Sequence, residues 1–211
     1  MKKIIVMVFA IMMLMTSVVL AHNDTVTMPE GANIASIEKI AVARPLYVPL
    51  KDFPSLDELT LAVSNGAAKN KVIQVVPYAD VANGIKVDTG KDIDKLDRHV
   101  AAKLFRDNVK RYADAYVLLT VANNTRTVFY FDVYRSGTNE LLYSNRMITT
   151  TDESDTIKDY TGMVQDFYNG LETSQKMQIK EQEKAREDAA KAAEKAQRER
   201  EREAARARDK D

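Results

Sequence analysis

Ala115-Tyr116-Val117-Leu118-Leu119-Thr120-Val121 is the longest apolar run in the chain beyond its first twenty-one residues, and it decides the fold. A run of this length without polar alternation is short for a helix. It suits a strand at the centre of a sheet, covered on both faces. Downstream, Thr127 to Tyr134 (TVFYFDVY) and Leu141 to Thr149 (LLYSNRMIT) flank Ser136-Gly137-Thr138-Asn139 and read as a hairpin with a tight turn. Along its first strand Val128, Tyr130, Asp132 and Tyr134 alternate with Thr127, Phe129, Phe131 and Val133. One face is therefore the more polar, as in an antiparallel sheet wetted on one side.

Upstream, Asp92 to Tyr112 has an amphipathic pattern in which Leu96, Val100, Leu104 and Phe105 share a face, predicting one long helix. Ile37 to Ala43 (IEKIAVA), stopped by Pro45, and Lys71 to Val76 (KVIQVV), stopped by Pro77, read as strands. Between them Ser55 and Glu58 have capping-box spacing, opening a helix through Leu59, Ala62 and Val63 that Asn65-Gly66 ends. A last helix is expected from Thr156 to Leu171, with Asp155 as N-cap and a buried stripe of Ile157, Tyr160, Val164, Tyr168 and Leu171. The order β-α-β-α-β-β-β-α is that of an α/β domain with a mixed sheet, spanning residues 34–174.

The flanks differ from this domain. Met1 to Ala21 reads as a signal peptide: Lys2 and Lys3, an apolar stretch from Ile4 to Met15, then small-residue positions at Val19 and Ala21 before a cut ahead of His22. Residues 22–33 are polar and read as a flexible segment. Residues 175–211 form a charged Ala/Glu/Lys/Arg-rich helical tail. From Lys180 to Asp211 it consists of 11 Lys/Arg, 10 Asp/Glu, 9 Ala and 2 Gln. Such a segment has no apolar surface for a core, yet it is built of strong helix formers and carries opposite charges four apart, as in Glu187 and Lys191. Ala185, Ala189, Ala192 and Ala196 follow a heptad seam, so a coiled coil, and with it weak homo-oligomerisation through this helix, stays open beside a solvated single helix.

Composition narrows the chemistry. With no cysteine, disulfides, thiolate metal sites and cysteine nucleophiles are excluded; with two histidines, so is a cage of several imidazoles. Lys+Arg and Asp+Glu balance at 31 each, and losing Lys2 and Lys3 with the leader leaves −2, which gives no footprint for nucleic acid or anionic lipid. An uncleaved anchor helix over Ile4 to Ala21, 18 residues, is the alternative to cleavage; after cleavage no stable membrane insertion is expected, and the product is exported, periplasmic or secreted.

His22 and His99 are the only imidazoles for a copper site, and nothing in the sequence brings them together. Thr149 to Asp155 offers Asp152, Glu153 and Asp155 as oxygen ligands but lacks the glycine turn and distant carboxylate of a calcium loop. Val87 to Asp92 falls short of a phosphate loop. The reading therefore assigns no catalytic, cofactor or metal residues. It places a partner-binding aromatic surface on the hairpin: Phe129, Tyr130, Tyr134 and Tyr143.

Two stretches carry a family resemblance: Tyr112-Ala113-Asp114-Ala115-Tyr116-Val117-Leu118-Leu119, where a helix runs into the central strand, and Phe131-Asp132-Val133-Tyr134-Arg135-Ser136-Gly137-Thr138 at the turn. Together with the element order they resemble the amino-terminal α/β domain of TolB and the curli-secretion (CsgG-like) proteins. That resemblance implies a non-enzymatic envelope protein acting through envelope protein partners. The expectation is an exported adaptor. Its alternatives are a small-molecule or metal-binding protein or enzyme with a site at the carboxyl ends of the strands, drawing on Tyr78, Asp80 or Asp114, and a structural spacer acting through a coiled-coil tail.

Overall fold

The computed structural model describes residues 24–48, 53–66, 72–123, 126–149 and 156–208, with side chains described as far as residue 201. Its chain order is β1 (Thr25–Thr27), β2 (Lys39–Val42), α1 (Leu56–Asn65), β3 (Gln74–Val76), α2 (Tyr78–Thr89), α3 (Arg98–Asn108), β4 (Ala115–Asn123), β5 (Thr127–Arg135), β6 (Leu141–Ile148) and α4 (Ile157–Arg208). Single 3-10 turns flank α3 at Ile93–Lys95 and Val109–Arg111.

The six strands form one mixed sheet in the order β1-β6-β5-β4-β2-β3. β4 runs parallel to β2 on one side and antiparallel to β5 on the other, so the apolar run is central as its composition requires. Residue parity then sorts the side chains. Ala115, Val117, Leu119, Phe129, Phe131 and Val133 turn to the first face and are buried beneath α1 and α4. There Phe131 stacks on Phe167 with centroids 4.5 Å apart, and Phe129 meets Tyr160 edge-on at 4.8 Å. Burying such rings contributes roughly 1.5–3 kcal/mol each.

Local chemistry places the helices. Ser55 and Glu58 make the full capping box at the start of α1. Gly66 closes α1 where α4 crosses: a Cβ there would lie 2.1 Å from Val164 Cγ1. The Tyr168 hydroxyl then donates to the Val63 carbonyl at 3.0 Å, joining the two helices. Asp114 accepts from the backbone N–H groups of Glu38 and Lys39 at 3.1 and 2.9 Å, so the Ala-Asp lead-in to β4 also fixes the start of β2.

Four expectations change. The segment expected to be flexible supplies β1, which pairs with β6 from Thr25 to Thr27, and Ala32 within it is buried. Its polar threonines suit an edge strand, which needs no apolar face of its own. The single helix over Asp92 to Tyr112 is divided: Leu96 is extended at ψ 158°, and Asp97 restarts the helix by accepting from His99 N–H. Val100, expected in the buried stripe, is therefore 53% exposed. α2 is an additional helix. Finally, α4 joins the last domain helix and the tail in one 52-residue element. Its buried stripe adds Met163 and Phe167 and loses Ile157. The signal peptide, Asp155 and the acidic cluster Asp152, Glu153 and Asp155 lie outside the described residues.

Past the sheet, α4 is tied to residues 32–37 by glutamines on one stripe. Gln175 Nε2 donates to the carbonyls of Ile34 and Ile37 at 3.2 and 2.7 Å. Gln178 Oε1 accepts from the N–H groups of Ile34 and Ala35 at 2.8 and 2.9 Å, while its Nε2 donates to Ala32 at 2.7 Å. Gln182 reaches the Asn33 side chain at 3.3 Å. These amides satisfy an irregular backbone that no strand pairs. From Glu183 to Glu201 every described side chain is exposed, and the helix runs on to Arg208, about 39 Å beyond Gln182.

Candidate functional site

The second face of the sheet is only half covered. α2 and α3 lie over β3, β2 and the start of β4, burying Ala41, Ala43, Val81, Ile85, Phe105 and Tyr116 together. No helix among the described residues covers β5, β6 and β1 on this side. Tyr130, Asp132 and Tyr134 are half-buried there, and Ser144 donates to Asp132 at 2.6 Å.

A groove of about 960 Å³ opens at the border of the two halves. Its floor is an aromatic ladder. Tyr78 stacks with Phe105 (6.2 Å), Phe105 meets Tyr116 edge-on (5.8 Å), and Tyr116 stacks with Tyr134 (5.3 Å). Leu46, Leu96 and Leu118 add apolar wall. The sequence explains the placement. Arg44-Pro45-Leu46 follows the carboxyl end of β2, and Pro77-Tyr78 follows that of β3, so both strands deliver side chains to one rim. The β5–β6 turn, with Gly137 at φ 89° and Asn139 at φ 58°, closes the far end and accepts the Tyr116 hydroxyl on Asn139 Oδ1 at 2.9 Å.

Polar groups at the rim divide into used and unused. Asp94 accepts from Arg44 Nη1 at 2.8 Å and from the Tyr78 hydroxyl at 2.7 Å. Burial, reinforced by that bond to Asp94, pushes the Tyr78 hydroxyl far above its ordinary range, so it keeps its proton. Burial likewise pushes Tyr116 up to about 12, and it raises Tyr134. Arg98, His99 and Arg106 line the same rim from α3, exposed to solvent.

Of the four hairpin residues expected to meet a partner, only Tyr130 and Tyr134 lie on the open face. Phe129 and Tyr143 are fully buried on the other side, so neither belongs to a docking surface. Strand parity decides this, because Phe129 shares its face with Phe131 under α4, and Tyr143 pairs directly with Val133 on that same face. Asp80 is exposed on the first turn of α2, and Asp114 serves the backbone of β2, so of the three candidates for a strand-end site only Tyr78 reaches the groove. Sequence reasoning missed Phe105, Tyr116 and Arg106 as neighbours of Tyr134. Tyr116 sits directly across from Tyr134 in the β4–β5 register, a pairing that the hairpin alone does not reveal.

Among the described residues no group of three His, Asp or Glu side chains gathers in the manner of a metal site, and no helix is long and apolar enough to cross a membrane. No protein-family model and no curated protein matches the chain, so the resemblance to TolB and the curli-secretion proteins has no family match behind it. Solved structures similar to it include the LpoB C-terminal domain from Escherichia coli, at 16% identity and TM-score 0.41, covering 54% of this chain and 83% of that one. The PelC dodecamer from Paraburkholderia phytofirmans is similar at 12% identity and TM-score 0.40, over 71% of this chain and 97% of that one. The hypothetical protein CT253 from Chlamydia trachomatis is similar at 11% identity and TM-score 0.32, over 67% and 94%.

Proposed function

We propose that this chain is an exported, non-catalytic adaptor of the cell envelope that binds a protein partner through the open half of its sheet, with α4 as a projecting arm. The observation that carries this reading is the asymmetry of the sheet. Its first face is sealed by α1 and α4, whereas the second leaves Tyr130, Tyr134 and the aromatic groove facing outward. Tyrosine-rich concave surfaces with arginines at the rim favour protein partners, because the rings give area at small entropy cost. A leader with Lys2, Lys3 and Ala21 in place supports export.

The test is capture of envelope proteins by the mature full chain. Tyr130→Ser with Tyr134→Ser is expected to abolish retention while the unfolding midpoint moves little, since both side chains are half-exposed. Retention untouched by that pair contradicts the reading.

A second reading has its own observation. The groove lies at the carboxyl ends of β2 and β3, where open α/β sheets take small ligands. Of the groups on its rim, Tyr78 is held protonated on Asp94 and Asp94 is paired by Arg44, which leaves exposed His99 as the one imidazole there.

A further inference from the structure

We propose that the groove takes an extended acidic segment of a partner protein, one in which acidic and apolar residues alternate. The inference rests on the adaptor reading above and names the chemistry of what docks.

α3 and the 3-10 turn that follows it carry their cations unevenly. Two of them are paired: Lys103 with Asp107 at 2.6 Å, and Arg111 with Asp88 at 3.1 Å. Arg98, Arg106 and Lys110 have no carboxylate partner among the described residues. These three share one stripe with Ala102, at successive fourfold spacing. Arg98, Ala102 and Arg106 line the groove, and the Lys110 side chain runs within 3.5 Å of where a Cβ on Gly137 would sit, at the turn that closes it. Among the described residues that line the groove Asp94 is the one carboxylate, and it pairs with Arg44 at 2.8 Å, which also reaches Asp57 at 3.6 Å. In a chain of zero net charge, one wall of this groove is cationic and uncompensated.

The opposite wall and floor are apolar. The hydroxyls of Tyr78 and Tyr116 are spent on Asp94 and Asn139, leaving ring surface and Leu118 to be covered. Spacing completes the argument. Arg98 to Arg106 is about 12 Å along the helix, and Arg106 to Lys110 about 6 Å. An extended chain rises about 3.3 Å per residue, so acids meeting these cations stand about four and two residues apart. Even spacings put them all on one side of the strand, and the intervening residues turn to the aromatic floor. An anionic polysaccharide matches the charge, but its hydroxyls find few free acceptors, the Tyr78 and Tyr116 oxygens being already bonded. Asp132, past Tyr134, bounds the site on the far side.

The test uses the mature full chain and a fluorescent seven-residue peptide of alternating Glu and Leu. Controls are a block peptide of the same composition (all Glu, then all Leu) and a polyuronate. Saturable binding at least about tenfold tighter for the alternating peptide is expected. Arg98→Glu and Arg106→Glu should each weaken it about fivefold, or ~1 kcal/mol at 1.4 kcal/mol per decade. Lys103→Glu should leave it unchanged, and circular dichroism should show all three variants folded. Equal binding of the block peptide or the polyuronate, or indifference to both arginine reversals, overturns the proposal. Loss of partner capture in the Tyr130/Tyr134 pair without peptide binding would sink this inference and leave the adaptor reading standing. Peptide binding with capture unaffected would do the reverse.

Discussion

Replacing Gln178 by alanine removes the centre of the glutamine latch. Its side chain makes three hydrogen bonds to the backbone of residues 32–35: two accepted, from Ile34 and Ala35, and one donated, to Ala32. A net ~1 kcal/mol for each gives about 2–3 kcal/mol, the lower end applying because the orphaned groups are only part-buried and water can reach them. At about 2–4 °C per kcal/mol for a chain of this size, Tm falls by about 4–12 °C. Gln178→Glu keeps the acceptor but turns a carboxylate oxygen on the Ala32 carbonyl in place of the donor, so it should not rescue the loss. Lys176→Ala, which removes an ion pair between exposed Lys176 and half-buried Glu172, should cost less than about 1 kcal/mol. Thermal unfolding followed by circular dichroism gives the magnitudes, and amide exchange gives the place. Ile34 and Ala35 should lose protection while the β4 and β5 amides keep theirs. A loss below about 0.5 kcal/mol, or unchanged exchange at Ile34 and Ala35, refutes the idea that this latch orders the segment.

Gly66→Ala forces a methyl against Val164, and about 1–3 kcal/mol should be lost; Val164→Ala in the same chain should restore part of it, and additive losses in the double-mutant cycle would show that the two do not touch. Phe131→Ala should cost about 3–5 kcal/mol by denaturant titration and Tyr130→Ala less than about 1, because neighbouring positions face the core and the open side respectively. Ser55 donates from its backbone N–H and its hydroxyl to Glu58, both at 2.8 Å, holding that carboxyl below its ordinary 4.5. A depressed carboxyl stabilises the fold above its unfolded pKa, and the contribution is lost as pH falls through the folded one. A carbon-detected NMR titration should place Glu58 below 4.5, and Ser55→Ala should move it part of the way back, since the larger backbone contribution stays.

The sheet was legible because its signals are local. An unbroken apolar run suits a central strand, the alternation of Phe129 and Phe131 with Tyr130 separates two faces, and Ser55 with Glu58 has the spacing of a helix start. What escaped was context. β1 has no apolar pattern because an edge strand beside β6 needs none. α2 was hidden by Asn83 and Gly84, which lower helix propensity, although Gly90 in the left-handed conformation at its end and Val81, Ala82 and Ile85 on one face mark it. The break at Leu96-Asp97 was masked by an apolar pattern that continues across it. Half of the expected aromatic surface was misplaced for a related reason. Phe129 and Tyr143 were grouped with Tyr130 by composition, whereas the pleat separates them. The groove itself joins residues from α1, α2, α3, β4 and β5, and the pairing of Tyr116 with Tyr134 that builds its floor depends on strand register.

The central claim is that recognition belongs to the half-open face and not to the sealed face or the arm. A photo-crosslinking amino acid placed in turn at Leu96 beside the groove, Leu61 on exposed α1, Val87 on α2 and Ala189 on the arm, in the exported full chain within cells, tests it most directly. The account predicts a discrete protein adduct from position 96 alone. Adducts from 189 or 61 with none from 96 would contradict it.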